Sequence, residues 1–201
     1  MPPKDQTYFR ASFQFDEDAN TLCAEEPRPS WGLSPHYLTE SEISKSKHGP
    51  FKPELRRLYW DNDGGYVPDF IPLDYGVLTA APHVFDAFES AMNLKAQSEI
   101  FESYVGEQTY VVLKPLIFLD LMNMETSTYR LSSKGTLINP KSIILKSAPP
   151  EDIHYFGLLH NARDMPYIFV SEDFKKIYDD NGFSGLRFKL SWPNVEGSES
   201  K

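Results

Sequence analysis

The stretch that decides the fold is YIFVSEDFKKIYDDNGFSGLRFKL, residues 167–190. It opens on four apolar residues that are β-branched or aromatic, which predicts a strand. Ser171 can then cap a helix, and the acidic pair Glu172–Asp173 lies where the helix dipole favours negative charge. Asn181–Gly182 ends that helix, and Leu186–Trp192 alternates apolar with basic residues as a second strand. The predicted unit is therefore strand, helix, strand.

Outward from this unit, further elements are predicted along the chain. Residues 8–15 alternate apolar and polar side chains, which is typical of a half-buried strand. Residues 73–79 are predicted to form a short strand or a turn that leads into a helix. The first turn of that helix contains Pro82, and its apolar residues recur at helical spacing to about Leu94. Further strands are predicted over the following ranges: Phe101–Val105, Tyr110–Phe118, Thr128–Leu131 and Ser142–Lys146.

These elements predict an α+β fold, mostly antiparallel sheet with two or three helices. Residues 16–65 break the pattern with five prolines and a Ser- and Lys-rich run, so we expect an irregular proline-rich N-terminal arm held to the core by aromatic anchors. We interpret residues 1–192 as a single domain, with a strand plus the arm in 8–65 and the core in 66–192. Residues 193–201 are expected to be a flexible tail.

The charge balance constrains the possible partners. Twenty-nine acidic and 20 basic side chains give a formal net charge of −9. Nucleic-acid binding depends on Lys and Arg that neutralise phosphates, so we expect no nucleic-acid partner. The chain has no stretch resembling a membrane span or a secretory signal, and its single cysteine, Cys23, suits a reducing compartment. A cytoplasmic protein without a membrane partner is predicted.

No motif for catalysis, metal or cofactor binding stands out. The five histidines lack zinc-hydrolase spacing, and neither a glycine-rich phosphate loop nor a G-x-S-x-G elbow is present. Asp61-Asn62-Asp63-Gly64 begins like a calcium loop, but Pro72 stands where the last ligand should be, and a turn is the better interpretation. We therefore expect no cofactor, no metal and no catalytic residues, although a site assembled from distant residues stays open.

Two segments have the composition of a protein-binding surface. Residues 58–70 interleave aromatic and acidic side chains, and aromatic anchors with carboxylates are typical of interface hot spots. An acidic group near the N-terminus is a second candidate. The predicted partner-binding residues are Tyr59, Trp60, Asp61, Asp63, Asp69, Asp16, Glu17 and Asp18. The alternatives are that the aromatics only fix the arm to the core and that the acidic group is a solvated loop.

The C-terminal stretch also resembles the end of a family of bacterial immunity proteins from polymorphic toxin systems. The resemblance lies in a strand at 168–170, a helix from Ser171 to Asp180, and Gly-Leu-x-Phe at 185–188; residues 74–79 and 118–123 resemble the family's middle. It extends over about residues 66–190. It implies an α+β fold, no enzymatic activity and a cognate toxin as partner, and it supplies no catalytic residues and no inhibitory surface.

The sequence therefore predicts a protein that binds and neutralises a cognate bacterial toxin or effector. Two other classes stay open. One is a small enzyme with a dispersed active site, which a pocket with converging titratable groups would favour. The other is an adaptor or structural component of a secretion system, which a ring or filament in solution would favour.

Overall fold

The computed structural model describes residues 6–13, 22–24, 58–60, 67–71, 76–105, 108–131, 137–160 and 163–193. Within these ranges the chain forms two α-helices, α1 (Pro82–Met92) and α2 (Glu172–Asp180), and a short 3-10 helix at Leu94–Ala96. The strands are β1 (Tyr8–Phe13), β2 (Leu22–Ala24), β3 (Leu58–Trp60), β4 (Phe70–Ile71), β5 (Leu78–Ala80), β6 (Ser98–Val105), β7 (Gln108–Pro115), β8 (Phe118–Leu119), β9 (Thr128–Leu131), β10 (Leu137–Ser142), β11 (Tyr155–His160), β12 (Arg163–Ser171) and β13 (Leu186–Trp192). The α+β class, mostly antiparallel sheet, is confirmed.

The strand–helix–strand unit of residues 167–190 builds the larger sheet. That sheet has five strands in the order β13-β1-β12-β11-β8, antiparallel except for the β8–β11 pair. The N-terminal strand β1 lies between the two C-terminal strands, so Ala11 faces both Ile168 and Phe188. Strands that lie far apart in the sequence are thereby paired in one sheet.

A four-stranded antiparallel sheet has the order β4-β5-β7-β6. Two shorter antiparallel pairs, β9–β10 and β2–β3, complete the described strands. Both helices pack on the same side of the larger sheet, where α1 contacts α2 and β7, and α2 contacts β12. None of the helices within the described residues has the length and apolar character needed to cross a bilayer.

Apolar side chains cover the larger sheet on both faces. On the helix side, Phe88 of α1 stacks on Phe174 of α2 with 4.1 Å between the ring centroids, and both are buried with Phe70. On the other side, Phe156 stacks on Phe169 at 5.3 Å, and Tyr8 packs edge-on against Phe156. A sheet covered on both faces needs strands that are apolar on both sides.

This double covering explains where the structure differs from the sequence prediction. Strand β11, YFGLLH, was not predicted because it is a continuous apolar run without alternation. Its Gly157 is required by packing, since a Cβ there would overlap the ring of Phe118. The strand expected at Ser142–Lys146 instead lies at Leu137–Ser142, and the following Leu145 donates its N–H to the Ser191 carbonyl at the end of β13.

Candidate functional site

Three separate segments of the chain meet at one end of the larger sheet. They are the start of β1 (6–8), the turn before β11 (150–154) and the start of α2 (171–173). The N–H of Glu172 donates to the Thr7 carbonyl at 2.8 Å, and the N–H of Ser171 donates to the His154 carbonyl at 3.0 Å. Backbone hydrogen bonds therefore hold the three segments together.

The start of α2 forms as its sequence predicts. Ser171 has extended backbone angles, and its hydroxyl accepts a hydrogen bond from the N–H of Phe174 at 3.2 Å. This satisfies one of the N–H groups that the first turn of a helix leaves without a partner. The cap predicted at Ser171 is confirmed, and it directs the side chains of Glu172 and Asp173 into solvent.

A serine, a histidine and an aspartate meet at this cap. The Nδ1 atom of His154 lies 2.9 Å from the Ser171 hydroxyl oxygen and 3.9 Å from a carboxylate oxygen of Asp173. In a serine hydrolase the serine and the acid contact opposite ring nitrogens, whereas here both lie beside Nδ1. Ser171 is also fully buried, so its hydroxyl has no room for a substrate carbonyl. The arrangement suits a helix cap braced by an imidazole.

Carboxylates surround the cap. Glu151, Asp152 and Glu172 are exposed, and the side chain of Asp173 is 66% exposed. We call these four residues the acidic end. Burial raises the pKa of the Tyr8 hydroxyl to about 12, and the nearby carboxylates of Asp173 and Glu151 contribute to that rise. Both carboxylates therefore lie near the Tyr8 hydroxyl.

The carboxylates of the acidic end have little compensating charge. Among the described residues, no Lys or Arg lies within ion-pair distance of Glu151, Asp152 or Glu172, and Asp173 has only the His154 ring nearby. Two prolines, Pro149 and Pro150, precede the first two carboxylates, and the Ile153 N–H closes a turn on the Pro150 carbonyl at 3.1 Å. The acidic end is thus a preformed negative surface on a rigid turn and a capped helix.

Asp69 is the one predicted binding residue whose side chain the structure describes. Its carboxylate accepts hydrogen bonds from the N–H and the hydroxyl of Ser184, at 2.9 and 2.7 Å, and lies 3.3 Å from Nε2 of His83. The side chain is 26% exposed. Through these contacts Asp69 joins β4 to the loop before β13. Its role in binding a partner stays a prediction.

The other predicted residues fall at or beyond the limits of the described chain. Tyr59 and Trp60 form part of β3, where Tyr59 pairs with Cys23 and Trp60 with Leu22. Only the backbone is described there. Asp61 and Asp63 lie outside the described residues, as do the three acidic residues of the N-terminal group: Asp16, Glu17 and Asp18. Their place in a binding surface stays a prediction, and so does the irregular course of the arm.

The sequence prediction missed the acidic end as a surface. Glu172 and Asp173 were interpreted only through the helix dipole, and Glu151 and Asp152 had no assigned role. The Pro-Pro-Glu-Asp run at 149–152 was the available signal, because two prolines favour a fixed, exposed turn. Nothing in the local pattern places that turn beside α2, since the contact depends on the long-range pairing of β11 with β12.

Within the described residues, no group of three or more His, Cys, Asp or Glu side chains could hold a metal ion. Comparison of the chain with protein-family models and with curated proteins gave no match. Function is therefore inferred from the residues and their geometry.

Proposed function

We propose that this chain is an immunity-type protein that binds a cognate bacterial toxin or effector and neutralises it by protein–protein contact. The observation that carries the proposal is the acidic end: four exposed carboxylates on a preformed frame, three of which lack a basic partner in the described part of the chain. Such a surface is complementary to a basic one.

A fixed array of carboxylates suits an inhibitor for two reasons. An inhibitor must reach its target before the target acts, and complementary charges raise the rate of encounter. A surface that is already ordered also loses little conformational entropy on binding. The Ser171 cap and the turn at Pro150 order the acidic end in the free protein.

The acidic end also indicates the kind of toxin surface that would fit. A toxin acting on an anionic substrate needs a basic cleft, and carboxylates placed in that cleft would exclude the substrate. The chain's net charge of −9 also attracts a basic partner, and it does so at longer range. The proposal places the protein in the cytoplasm, where the single cysteine, Cys23, suits a reducing environment.

Co-expression tests this function directly. Cells would express the protein together with the product of the neighbouring gene, with growth and co-purification as the measurements. We expect the wild-type chain to restore growth and to co-purify with the toxic product. A toxic neighbour that is neither bound nor neutralised would contradict the proposed function.

Charge reversal tests the surface. E151K/D152K changes two exposed carboxylates of the acidic end, and E125K/D86K makes the same change at exposed carboxylates elsewhere. We expect the first variant to lose rescue and the second to retain it. If E151K/D152K protects cells as well as the wild type, the acidic end is not the inhibitory surface. The variants W60A and D61A test the predicted 58–70 surface in the same assay.

A further inference from the structure

Strand β13 forms one edge of the larger sheet, and the direction of its backbone groups can be derived from its neighbours. The Thr7 carbonyl accepts from Glu172 and therefore points to the β12 side of β1. Backbone groups of successive residues in a strand point to opposite sides, so the N–H and C=O groups of Arg10 and Ser12 point towards β13. Their partners are Lys189 and Arg187. The N–H and C=O of the intervening residues of β13 consequently point away from the sheet.

Hydrogen bonds at the two ends of β13 agree with this alternation. At the start, the N–H of Leu186 donates to the Tyr178 hydroxyl at 3.1 Å instead of to β1. At the far end, the Ser191 carbonyl accepts from Leu145 at 2.9 Å. Between these two points, no described residue bonds to the outward backbone groups of Phe188 and Leu190. Among the residues that the structure describes, a short stretch of the sheet edge is therefore without a partner.

The open stretch has a different chemistry on each face. Arg187 and Lys189 are exposed on the face away from the helices, where the Lys189 ammonium donates to the Lys141 carbonyl at 2.8 Å and Arg10 donates to the Pro140 carbonyl at 3.0 Å. Lys189 and Arg10 thus bond to backbone oxygens, and no carboxylate of the described chain lies within ion-pair distance of either of them or of Arg187. Within the described part of the chain, their charge is therefore not paired with a carboxylate.

The helix face of the same stretch is apolar. Phe188 and Leu190 are half-buried, and Phe188 packs edge-on against Phe9 with 6.4 Å between the ring centroids. The Lys175 ammonium lies 5.7 Å from the centre of the Phe188 ring. A strand added beside β13 would extend this apolar surface with its own alternate side chains.

We propose that the open edge of β13 accepts an extended acidic segment of a partner protein by strand addition. The outward groups of Phe188 and Leu190 would bond to the incoming backbone, as in other strand-addition complexes. Carboxylates at alternate positions would face Arg187 and Lys189, and apolar side chains would face Phe188 and Leu190. The edge is a different surface from the acidic end, so this proposal does not depend on the proposed function.

Charge selects the occupant. Pairing of β13 with β13 of a second copy would place Arg187 and Lys189 near the same two cations, and like charges across a ladder repel. Basic residues on an edge strand therefore oppose self-association while they favour a strand that carries carboxylates.

The test uses two fluorescein-labelled peptides, one of alternating Glu and Val and one of alternating Lys and Val, in fluorescence anisotropy titrations with the full chain. At the β13 edge we expect the Glu peptide to bind about tenfold tighter or more than the Lys peptide, because its carboxylates attract Arg187 and Lys189, which the ammonium groups of the Lys peptide repel. Amide hydrogen exchange at Phe188 should slow on addition of the Glu peptide, because its N–H becomes bonded. Failure of the Glu peptide to bind, or unchanged exchange at Phe188 when it binds, would overturn the proposal.

The variant R187E/K189E should reverse the preference and bind the Lys peptide more tightly. The matched control is R130E/K176E, which makes the same change in net charge at two exposed cations elsewhere and should retain the wild-type preference. If both variants shift the preference equally, net charge and not the β13 edge selects the peptide. If R187E/K189E does not fold, the exchange measurement on the wild type still decides the proposal.

Discussion

Asp69 holds Ser184 by three hydrogen bonds although 115 residues separate them in the sequence. The carboxylate of Asp69 accepts the N–H and the hydroxyl of Ser184, and the Asp69 N–H donates to the Ser184 hydroxyl oxygen at 3.1 Å. The neighbouring Phe70 N–H donates to the Ser184 carbonyl at 3.0 Å. This contact joins the start of the four-stranded sheet to the loop that follows α2.

The first prediction concerns that contact. Asp69→Ala should lower the free energy of unfolding by about 1–3 kcal/mol, because it removes the charged acceptor and leaves the partly buried N–H of Ser184 without a bond. Chemical denaturation measures the change. Asp86→Ala, an exposed aspartate in α1, is the control and should change stability by less than about 0.5 kcal/mol. Equal effects of the two substitutions would show that the Asp69–Ser184 contact contributes little.

The second prediction compares two glycines of the same loop. Gly182 and Gly185 both have positive φ, at 66° and 100°, so alanine is strained at either. At Gly185 a Cβ would also overlap the carbonyl oxygen of Phe70, whereas at Gly182 nothing lies within 4 Å of it. Gly185→Ala should therefore cost more than about 2 kcal/mol and Gly182→Ala about 1 kcal/mol. Thermal denaturation of both variants measures the difference, and a larger loss at Gly182 would contradict this packing.

The sequence correctly predicted those elements that are determined by residues next to one another in the chain. The Ser171 cap, the end of α2 at Asn181–Gly182 and the alternation of β13 depend on neighbouring residues, and the structure confirms them. Strand β11 could not be found this way, because burial on both faces removes the alternation.

The candidate site was largely beyond sequence prediction for a related reason. Its carboxylates come from two segments, 151–152 and 172–173, and they meet only because β11 pairs with β12. For Asp69 the sequence suggested a binding role, whereas the structure shows a contact within the fold. Its acidic, aromatic-rich surroundings suggested a binding surface, yet its carboxylate bonds to Ser184, a partner that sequence spacing does not reveal.

The third prediction concerns alkaline pH. Burial raises the pKa of Tyr8 and of Tyr110 to about 12, above the value of about 10 in an unfolded chain. Well below pH 10 both states keep the protons. Between pH 10 and 12 the unfolded state loses most of them while the folded state keeps most of them, so stability should fall by about 1 kcal/mol per pH unit for each tyrosine. The stabilising contribution is lost as the pH rises through the folded-state pKa.

The variant Tyr8→Phe isolates one of these contributions. It should reduce the slope of stability against pH by about 1 kcal/mol per unit between pH 10 and 12, because one titrating group is gone. Other groups that titrate in this range affect both proteins equally and cancel in the comparison. Denaturant titrations at a series of pH values provide the slopes, and parallel curves for the variant and the wild type would refute the assignment.

The fourth prediction concerns the kinetics of the proposed complex with a toxin. The exposed carboxylates of the acidic end attract a basic partner over about one Debye length, which shrinks from about 30 Å at 0.01 M salt to about 8 Å at 0.15 M. We expect the association rate to fall by about tenfold or more across that range, while the dissociation rate changes much less. Stopped-flow mixing at several salt concentrations measures both rates.

Paired charge-neutralising variants separate a local effect from net charge. E151Q/D152Q and E125Q/D86Q raise the net charge by the same amount, but only the first lies at the acidic end. The first should slow association and flatten its salt dependence more than the second, because the field that guides the partner is strongest where it docks. Identical slopes would assign the attraction to overall charge. A rate independent of salt in the wild type, together with intact growth rescue, would mean that the toxin is captured by contacts other than these carboxylates.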